Sequence, residues 1–150
     1  MIKDVIIKEM KKIPDDRGKI MHIMKSSDPN YDKFGEVYCS TVFPGTVKGW
    51  HLHTKMTLNY VVLKGIIKFV LHDARKESPT YGQTQVIYMG DDNYVRVTVP
   101  PLVWNGFMGI GLNESFIVNF TDIPHDPNEI KRMEPHNNKI IDFDWSITDR

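Results

Sequence analysis

Two histidines, His51 and His53, stand two residues apart in a stretch that predicts a β-strand. Side chains alternate between the two faces of a strand, so both imidazoles are expected on the same face. Residues 60–62 (Tyr-Val-Val) follow and lead to Gly65, which predicts a second strand closed by a glycine turn. Because imidazole titrates near neutral pH and also binds metals, the pair predicts a site for proton transfer or for a metal.

Short apolar or alternating segments, separated by glycine and proline turns, surround this pair. Besides the two central strands, strands are predicted at residues 5–7, 20–24, 36–43, 66–71, 84–89, 94–99, 103–108 and 115–120. Residues 14–18 predict a turn, and residues 129–133 predict at most one helical turn in a Pro- and Asn-rich C-terminal segment. About ten short strands with almost no helical periodicity predict an all-β sandwich or barrel.

Length and composition limit the class of protein. A chain of 150 residues without an internal linker predicts a single domain over residues 1–150. Lys+Arg and Asp+Glu both number 19, so bulk charge favours neither a nucleic-acid nor a membrane partner. The single Cys39 excludes an internal disulfide and is typical of a reducing compartment. With no visible signal or membrane segment, a cytoplasmic protein is expected.

The spacing around the histidines resembles the first motif of the cupins, in which a glycine, five residues, His-x-His, a glutamate and a glycine follow one another. The matching residues are Gly45, His51, His53 and Gly65. Thr57 and Leu58 stand where the glutamate would be, and Asn105 stands where the second motif has its histidine. Because two of four usual ligands are missing and a firm site needs three or more, no metal and no other cofactor are expected.

Further motifs follow one another along the chain in the same order as in one branch of the cupins. They are residues 15–18 (Asp-Asp-Arg-Gly), 45–51 (Gly-Thr-Val-Lys-Gly-Trp-His), 73–75 (Asp-Ala-Arg), 78–82 (Ser-Pro-Thr-Tyr-Gly), 106–107 (Gly-Phe), 121–122 (Thr-Asp) and Trp145. Together they resemble the dTDP-4-dehydrorhamnose 3,5-epimerase family, which works without metal. The resemblance spans about residues 15–145. It implies a cupin-type jelly-roll sandwich with an internal cavity and a short irregular C-terminal segment.

The resemblance also implies a chemistry. The family's substrate is a nucleoside-diphosphate 4-keto sugar, whose ketone acidifies the hydrogens on the adjacent carbons. A base removes one hydrogen, polar groups hold the enolate, and a proton returns on the opposite face. His51 falls on the family's base, Arg17 on a diphosphate-binding arginine, and Lys48 on a second one. The run that faces the nucleotide reads Glu36-x-Tyr38-x-Ser40.

Several positions depart from the family pattern. The family's proton-donor tyrosine falls on Val118, and its second histidine falls on Asn105. The carboxylate that orients the base falls on Asn138 or on Glu134, depending on whether it is counted from Trp145 or from the Glu134-Pro135 pair. The lysine before the second central strand falls on Leu58. The base is therefore kept, while the donor is lost.

Replacement donors are available, and the sequence leaves them open: His53, Tyr38, Tyr60 and Tyr81. The predicted catalytic residues are His51 and His53. The predicted substrate-binding residues are Arg17, Lys48, Glu36, Tyr38, Tyr60 and Asn105. Residues 78–82 are interpreted as a structural turn, the three tryptophans as core or interface, and His72, His125 and His136 as incidental.

These assignments predict an isomerase that acts on a nucleotide-linked 4-keto sugar in cell-surface polysaccharide or deoxysugar synthesis. Because the donor is lost, a single-centre epimerase or a ketoisomerase is favoured over a full 3,5-epimerase. The alternatives are a metal-dependent cupin enzyme that uses His51 and His53, and a non-catalytic nucleotide-sugar-binding cupin. The resemblance also implies a homodimer.

Overall fold

The computed structural model describes residues 1–147, and all its regular elements are β-strands. The strands are β1 Ile6–Glu9, β2 Lys12–Asp15, β3 Gly18–Met21, β4 Glu36–Val42, β5 Val47–His53, β6 Leu58–Lys64, β7 Ile66–Asp73, β8 Thr84–Gly90, β9 Val95–Val99, β10 Val103–Gly109, β11 Ser115–Thr121 and β12 Ile130–Arg132. The part of the chain described here contains no helix with the length and apolarity that crossing a membrane would require.

Ten of these strands form two five-stranded sheets. The first sheet has the order β1-β9-β6-β11-β4, and the second has the order β12-β5-β10-β7-β8. Neighbouring strands pair antiparallel in both sheets, and β2 and β3 form a separate hairpin. The prediction of an all-β, cupin-type sandwich is confirmed. The all-β sandwich followed from β-branched alternation, which fits a sheet with one face on a core, whereas the cupin type was implied by the family resemblance.

The core lies between the two sheets and follows the two-residue period of the strands. Leu58, Tyr60 and Val62 of β6 face inward from the first sheet, while Ile67 and Phe69 of β7 meet them from the second. Fully burying each such side chain stabilises the fold by about 1.5–3 kcal/mol relative to leaving it exposed. This packing fixes the strands, and therefore fixes which side chains point into the sandwich.

The outer faces of both sheets are also covered. On the second sheet, Trp145 of the C-terminal segment packs on Trp50 of β5, with ring centroids 5.1 Å apart. The buried Lys68 ties this segment down, because its Nζ donates to the carbonyl oxygen of Ser146 at 2.8 Å. On the first sheet, the buried Arg96 pairs with Asp28 at 2.6 Å. The expectation that the tryptophans are core residues is confirmed for Trp50, Trp104 and Trp145.

Three local predictions differ from the structure. The helical turn at residues 129–133 is wrong, because Ile130–Arg132 forms β12 and pairs with β5. The turn predicted at residues 14–18 is limited to residues 16–17, since strand β2 extends to Asp15 and strand β3 begins at Gly18. The neighbouring strand β3 ends at Met21, so residues 22–24 are not strand. In each case pairing with another strand, rather than local sequence, decides the boundary.

Candidate active site

Strand β5 places the two histidines. His51 and His53 both line a cavity between the sheets, while Trp50 and Leu52, on either side of His51, pack on the outer face. The two-residue period of the strand produces this alternation, as the sequence predicts. The tight outer packing of Trp50, which is fully buried, holds the backbone that carries the imidazoles. Both predicted catalytic histidines therefore face one shared space.

The cavity has a volume of about 790 Å³, large enough for a sugar nucleotide or a good part of one. It lies among strands β4, β5, β6, β10 and β12. Its lining consists of Glu36, Tyr38, Ser40, Val47, Lys48, Gly49, His51, His53, Met56, Tyr60, Phe107, His125, Ile130, Arg132, Glu134 and Pro135. The wall therefore combines basic, acidic and aromatic side chains with apolar ones such as Val47, Met56 and Ile130, which suits a ligand with both polar and apolar parts.

Burial increases from the mouth of the cavity to its base. Lys48 and Arg132 are exposed at the mouth, His51 is half-buried, and His53 and Tyr60 are buried. Arg132 stands directly opposite His51 in the pairing of β12 with β5. Lys48 Nζ donates to Ser40 Oγ at 3.0 Å. Two cations therefore flank the entrance, and the titratable rings lie behind them.

His51 is held in its neutral form. Burial, and then the nearby charges of Arg132, His53 and Lys48, lower the pKa of His51 to about 4. Removing a ring from water disfavours its charged form, and neighbouring cations act in the same direction. At neutral pH the His51 ring therefore has a free lone pair, which is the state that a general base requires.

His53 is paired with a carboxylate that the sequence did not reveal. Its Nδ1 contacts Oε1 of the buried Glu129. Burial alone would raise the pKa of Glu129, but hydrogen bonds from His53 and from the backbone of Lys55 and Met56 lower it below its ordinary value. Glu129 is therefore an anion fixed against the His53 ring. It precedes β12 and lies 76 residues from His53 in the chain.

Two tyrosines, Tyr38 and Tyr60, line the inner wall, and two asparagines contact their hydroxyl groups from behind. Tyr60 Oη lies 3.5 Å from Asn105 Oδ1, and Asn105 Nδ2 donates to the His51 carbonyl oxygen at 3.1 Å. Asn119 Nδ2 donates to Tyr38 Oη at 2.8 Å. Burial, and then the adjacent Tyr38, raise the pKa of Tyr60 well above its ordinary value. Tyr60 therefore stays a neutral phenol. Asn105 supports the β5 backbone and the Tyr60 hydroxyl but does not line the cavity itself.

Of the two candidates for the carboxylate beside His51, the structure brings only Glu134 to the cavity. Asn138 instead donates to the Glu134 carbonyl oxygen at 3.1 Å and accepts from the backbone of Ile140 and Ile141. Strand β12 ends two residues before Glu134, so the pairing of β12 with β5 brings Glu134 to the same wall as His51.

The structure does not bring Arg17 or Tyr81 to the cavity of their own chain. Arg17 lies at the tip of the β2–β3 hairpin, with a side chain 89% exposed and paired with Asp15 at 2.6 Å. Tyr81 is exposed in the loop after β7. Position 118, where the family's donor tyrosine falls, lies on the outer face of β11. Its neighbour Asn119 faces the cavity side, opposite Tyr38 and Tyr60.

Sequence reasoning missed three residues at this site. His125, interpreted as incidental, lines the cavity, as does Arg132 of β12. Glu129 lies behind His53. All three come from the C-terminal segment, where the predicted helical turn hid the pairing with β5. The one available signal was the alternation Ile130-Lys131-Arg132, which is too short to outweigh the surrounding polar residues.

Within residues 1–147, no three His, Cys, Asp or Glu side chains cluster closely enough to hold a metal ion. The His51 and His53 pair thus lacks a third such ligand in the described part of the chain, and one nitrogen of His53 is occupied by Glu129.

The geometry can be compared with known proteins. The family model for dTDP-4-dehydrorhamnose 3,5-epimerase matches residues 1–150. The chain belongs to the dTDP-4-dehydrorhamnose 3,5-epimerase family. The family resemblance, first inferred from motifs, is therefore confirmed, and the prediction of a nucleotide-sugar epimerase is confirmed at the level of the family.

Two relatives of this epimerase family are similar over nearly their whole length. The spore coat polysaccharide biosynthesis protein SpsL of Bacillus subtilis is 31% identical over 147 residues, which cover 97% of each chain. The probable low-salt glycan biosynthesis epimerase Agl13 of Haloferax volcanii is 30% identical, with 97% of this chain and 95% of that protein covered.

Solved structures of the same family share the fold. The dTDP sugar isomerase of Desulfovibrio desulfuricans G20 superposes with a TM-score of 0.93 at 36% identity, covering 99% of this chain and 94% of that one. An epimerase from Legionella pneumophila in complex with dTDP-4-keto-L-rhamnose has a TM-score of 0.82 at 20% identity, covering 91% of this chain and 76% of that one. The second similarity is evidence for the fold alone.

Proposed function

We propose that the protein epimerises or isomerises a nucleoside-diphosphate 4-keto sugar at a carbon next to the ketone, with His51 as the base. The observation that carries the proposal is the neutral His51 ring on the cavity wall, behind two cations. Removal of a proton from carbon needs a free lone pair close to the C–H bond and a pocket that excludes water. Family membership supports this substrate class.

The mouth of the cavity suits a diphosphate. Lys48 and Arg132 lie on the same wall, at its solvent-exposed end, and both are cationic donors. Arginine offers phosphate a planar fork, while lysine acts as a point charge. A bound diphosphate would neutralise part of the positive field around His51 and raise its pKa towards neutrality. Substrate binding would therefore make His51 a stronger base.

Four further residues have proposed roles around the sugar and nucleotide. Glu134, beside His51, orients the ring or stabilises its protonated form. Tyr60, a neutral phenol at the base of the cavity, donates a hydrogen bond to the enolate oxygen. Glu36 and Tyr38 of β4 contact the nucleotide. These roles follow from position, charge and protonation, and each can be removed by one substitution.

A homodimer is part of this proposal. Arg17 is almost fully exposed on a hairpin outside the two main sheets, so it can bind a diphosphate only if the hairpin reaches the cavity of a second copy. Symmetric pairs are the commonest oligomers. We further propose a cytoplasmic location, where nucleotide sugars and a reduced Cys39 would be available.

The deciding experiment is proton exchange in D₂O with dTDP-4-dehydrorhamnose as the substrate. Wild-type protein is expected to introduce deuterium next to the ketone, whereas His51→Asn is expected to lose the reaction by about 10²- to 10⁴-fold. His72→Asn is the matched control, because His72 contacts Thr84 outside the cavity. Equal labelling by wild type and His51→Asn would exclude His51 as the base.

The nucleotide can be identified by thermal shift. Ligands that bind only the folded state raise its melting temperature, so dTDP-, GDP-, CDP- and UDP-sugars can be ranked at equal concentration. A dTDP-sugar is expected to give the largest shift. The absence of any shift with all four would contradict the proposed substrate class.

A further inference from the structure

The His53–Glu129 pair resembles a catalytic unit more than a packing contact. A buried histidine that only fills space needs no ionised partner, yet Glu129 is 2% exposed and remains an anion. A buried charge is retained only where other groups compensate for its lost hydration. Here the compensation comes from His53 on one carboxylate oxygen and from backbone amides on the other.

The two oxygens of Glu129 have separate tasks. Oε2 accepts hydrogen bonds from the backbone amides of Thr54, Lys55 and Met56 at 3.1, 3.1 and 3.3 Å. These three donors keep the carboxylate from rotating. Oε1 is left facing Nδ1 of His53. An anionic oxygen can only accept, so Nδ1 must carry a proton, and the tautomer of His53 is thereby fixed.

The other ring nitrogen is consequently available to the cavity. Nε2 of His53 has no hydrogen-bond partner within residues 1–147, although its ring lines the cavity. It is also not among the fully enclosed unpaired nitrogens of the described chain. With Nδ1 held by Glu129, Nε2 is the atom that gains or loses a proton facing a ligand.

We infer that Glu129 is a positioning residue that makes His53 the proton donor opposing His51, in place of the tyrosine that this chain lacks. This rests on the function proposed above. His51 takes the proton from the carbon next to the ketone, and the C–H electron pair forms the enolate. His53 enters this step with a proton on each ring nitrogen, and the enolate forms a new C–H bond on its other face with the proton of His53 Nε2. His53 is left neutral with its Nδ1 proton, His51 is left protonated, and exchange with water restores both.

The arrangement distinguishes His53 from the other candidate donors. The Tyr60 hydroxyl is assigned to the enolate oxygen, and its loss of a proton would leave a buried phenolate. Tyr38 accepts from Asn119 and is 40% exposed, and Tyr81 lies outside the cavity. Among these candidates, only His53 has a buried carboxylate, Glu129, fixed against its ring.

Glu129→Gln tests the inference because it keeps shape while reversing the tautomer. The three backbone amides require an oxygen, so the glutamine NH₂ must face His53 Nδ1 and donate to it. His53 then carries its single proton on Nε2, and the doubly protonated form loses its stabilising anion. Two-bond ¹H–¹⁵N spectra distinguish the tautomers, and His53→Asn identifies the signal. When the His53 ring is neutral, the wild type is expected to show the Nδ1-H form and Glu129→Gln the Nε2-H form.

The kinetic readout is the ratio of exchange to inversion, measured in D₂O from a single epimer of dTDP-4-dehydrorhamnose. In Glu129→Gln and His53→Asn, His51 still removes the proton and can return deuterium to the same face. Exchange should therefore persist within a few-fold while inversion falls by about 10²- to 10⁴-fold. A structural role would lower both together. Asp122→Asn is the matched control, because Asp122 accepts from the Thr57 amide in the same loop without touching a histidine.

The outcomes separate the two proposals. If wild-type protein exchanges and inverts, and Glu129→Gln inverts equally fast, the inference is overturned while the proposed function stands. A parallel loss of exchange and inversion in Glu129→Gln also overturns the inference, because it indicates a structural role. If wild type neither exchanges nor inverts, the proposed function fails. An unchanged His53 tautomer in Glu129→Gln would then still refute the positioning role.

Discussion

The loop after β7 and the cavity beside β5 both bring carboxylates together with basic side chains, but they differ in whether those groups have partners. In the loop, the fully buried Asp73 accepts from Arg75 Nε at 2.8 Å, Ser78 Oγ at 2.7 Å and Thr80 Oγ1 at 2.6 Å. In the cavity, Arg132, Glu134 and the His51 ring line open space.

This difference separates polar residues whose hydrogen bonds are satisfied within the fold from polar residues that face a cavity. Although burial opposes it, hydrogen bonds from Arg75, Thr80 and Ser78 hold the pKa of Asp73 well below its ordinary range. A network with every group satisfied stabilises one conformation and has nothing left to offer a ligand. The cavity groups retain unused hydrogen-bonding capacity, which substrate can use. The interpretation of residues 78–82 as a structural turn agrees with these contacts.

The largest effect is expected on the stability of the fold, from a substitution in the hydrogen-bonded loop after β7. Asp73→Ala should lower the free energy of unfolding by about 3–5 kcal/mol, because it leaves Arg75 and two hydroxyls without their shared acceptor. Urea denaturation measures the loss. Asp4→Asn is the control, since Asp4 pairs with the same arginine from an exposed position and should cost at most about 1 kcal/mol. Turnover per folded molecule should stay unchanged, and a selective loss of turnover would contradict the distinction.

The second largest effect is expected on ligand binding at the cavity, where polar groups line open space. Arg132→Gln should weaken dTDP binding about tenfold, or about 1.4 kcal/mol, by removing a charged donor at the cavity mouth. The free energy of unfolding should stay within about 0.5 kcal/mol. Calorimetry with dTDP and with thymidine separates the phosphate contribution, since thymidine binding should not change. Lys131→Gln, on the other face of β12, should bind dTDP as the wild type does.

The smallest effect concerns pH and the stability of the fold. His51 has a pKa of about 4 in the folded chain and an ordinary value of 6.5, so the unfolded chain binds more protons between these values. Stability should therefore fall as pH drops from 6.5 towards 4, on the order of 1 kcal/mol after allowing for solvent screening.

Urea midpoints at a series of pH values test this slope. His51→Gln should be less sensitive to acid over that window than the wild type. His136→Gln, which removes an exposed histidine outside the cavity lining, should keep the wild-type slope. If His51→Gln loses stability with acid as steeply as the wild type, the lowered pKa of His51 is not the cause.

The sequence predicted the features that depend on the two-residue alternation of side chains along a strand. Alternation placed His51 and His53 on one face, and β-branched runs located the sandwich strands. Prediction from sequence failed where pairing with a strand distant in the chain determines the local structure. The sequence allowed at most one helical turn at residues 129–133, but pairing with β5 makes residues 130–132 a strand. Counting residues by family motif also put the missing donor at position 118, although only the register of β11 reveals which way that side chain faces.

Glu129 could not be found from the sequence for the same reason. Its partner lies 76 residues earlier, and nothing in the intervening chain indicates that the two meet. The motif count offered Glu134 and Asn138 as alternatives for the carboxylate beside His51, and it could not show that only Glu134 lines the cavity, while Asn138 caps a turn in the C-terminal segment. Arg17 remains a prediction that only an assembly could test.

The three-residue strand β12 and the residues next to it provide several of the polar groups at the cavity. Ile130–Arg132 lies at the border of its sheet, joined to β5 by three register pairs, and the Trp50 and Met133 backbones bond to each other just beyond it. Glu129, Arg132 and Glu134 all depend on that ladder. If it frayed, the protein would lose the anchor of one imidazole, a cation at the entrance and a nearby carboxylate together, while the sandwich stayed intact. The stability of the cavity would then depend on the pairing of β12 with β5, and not on the stability of the core.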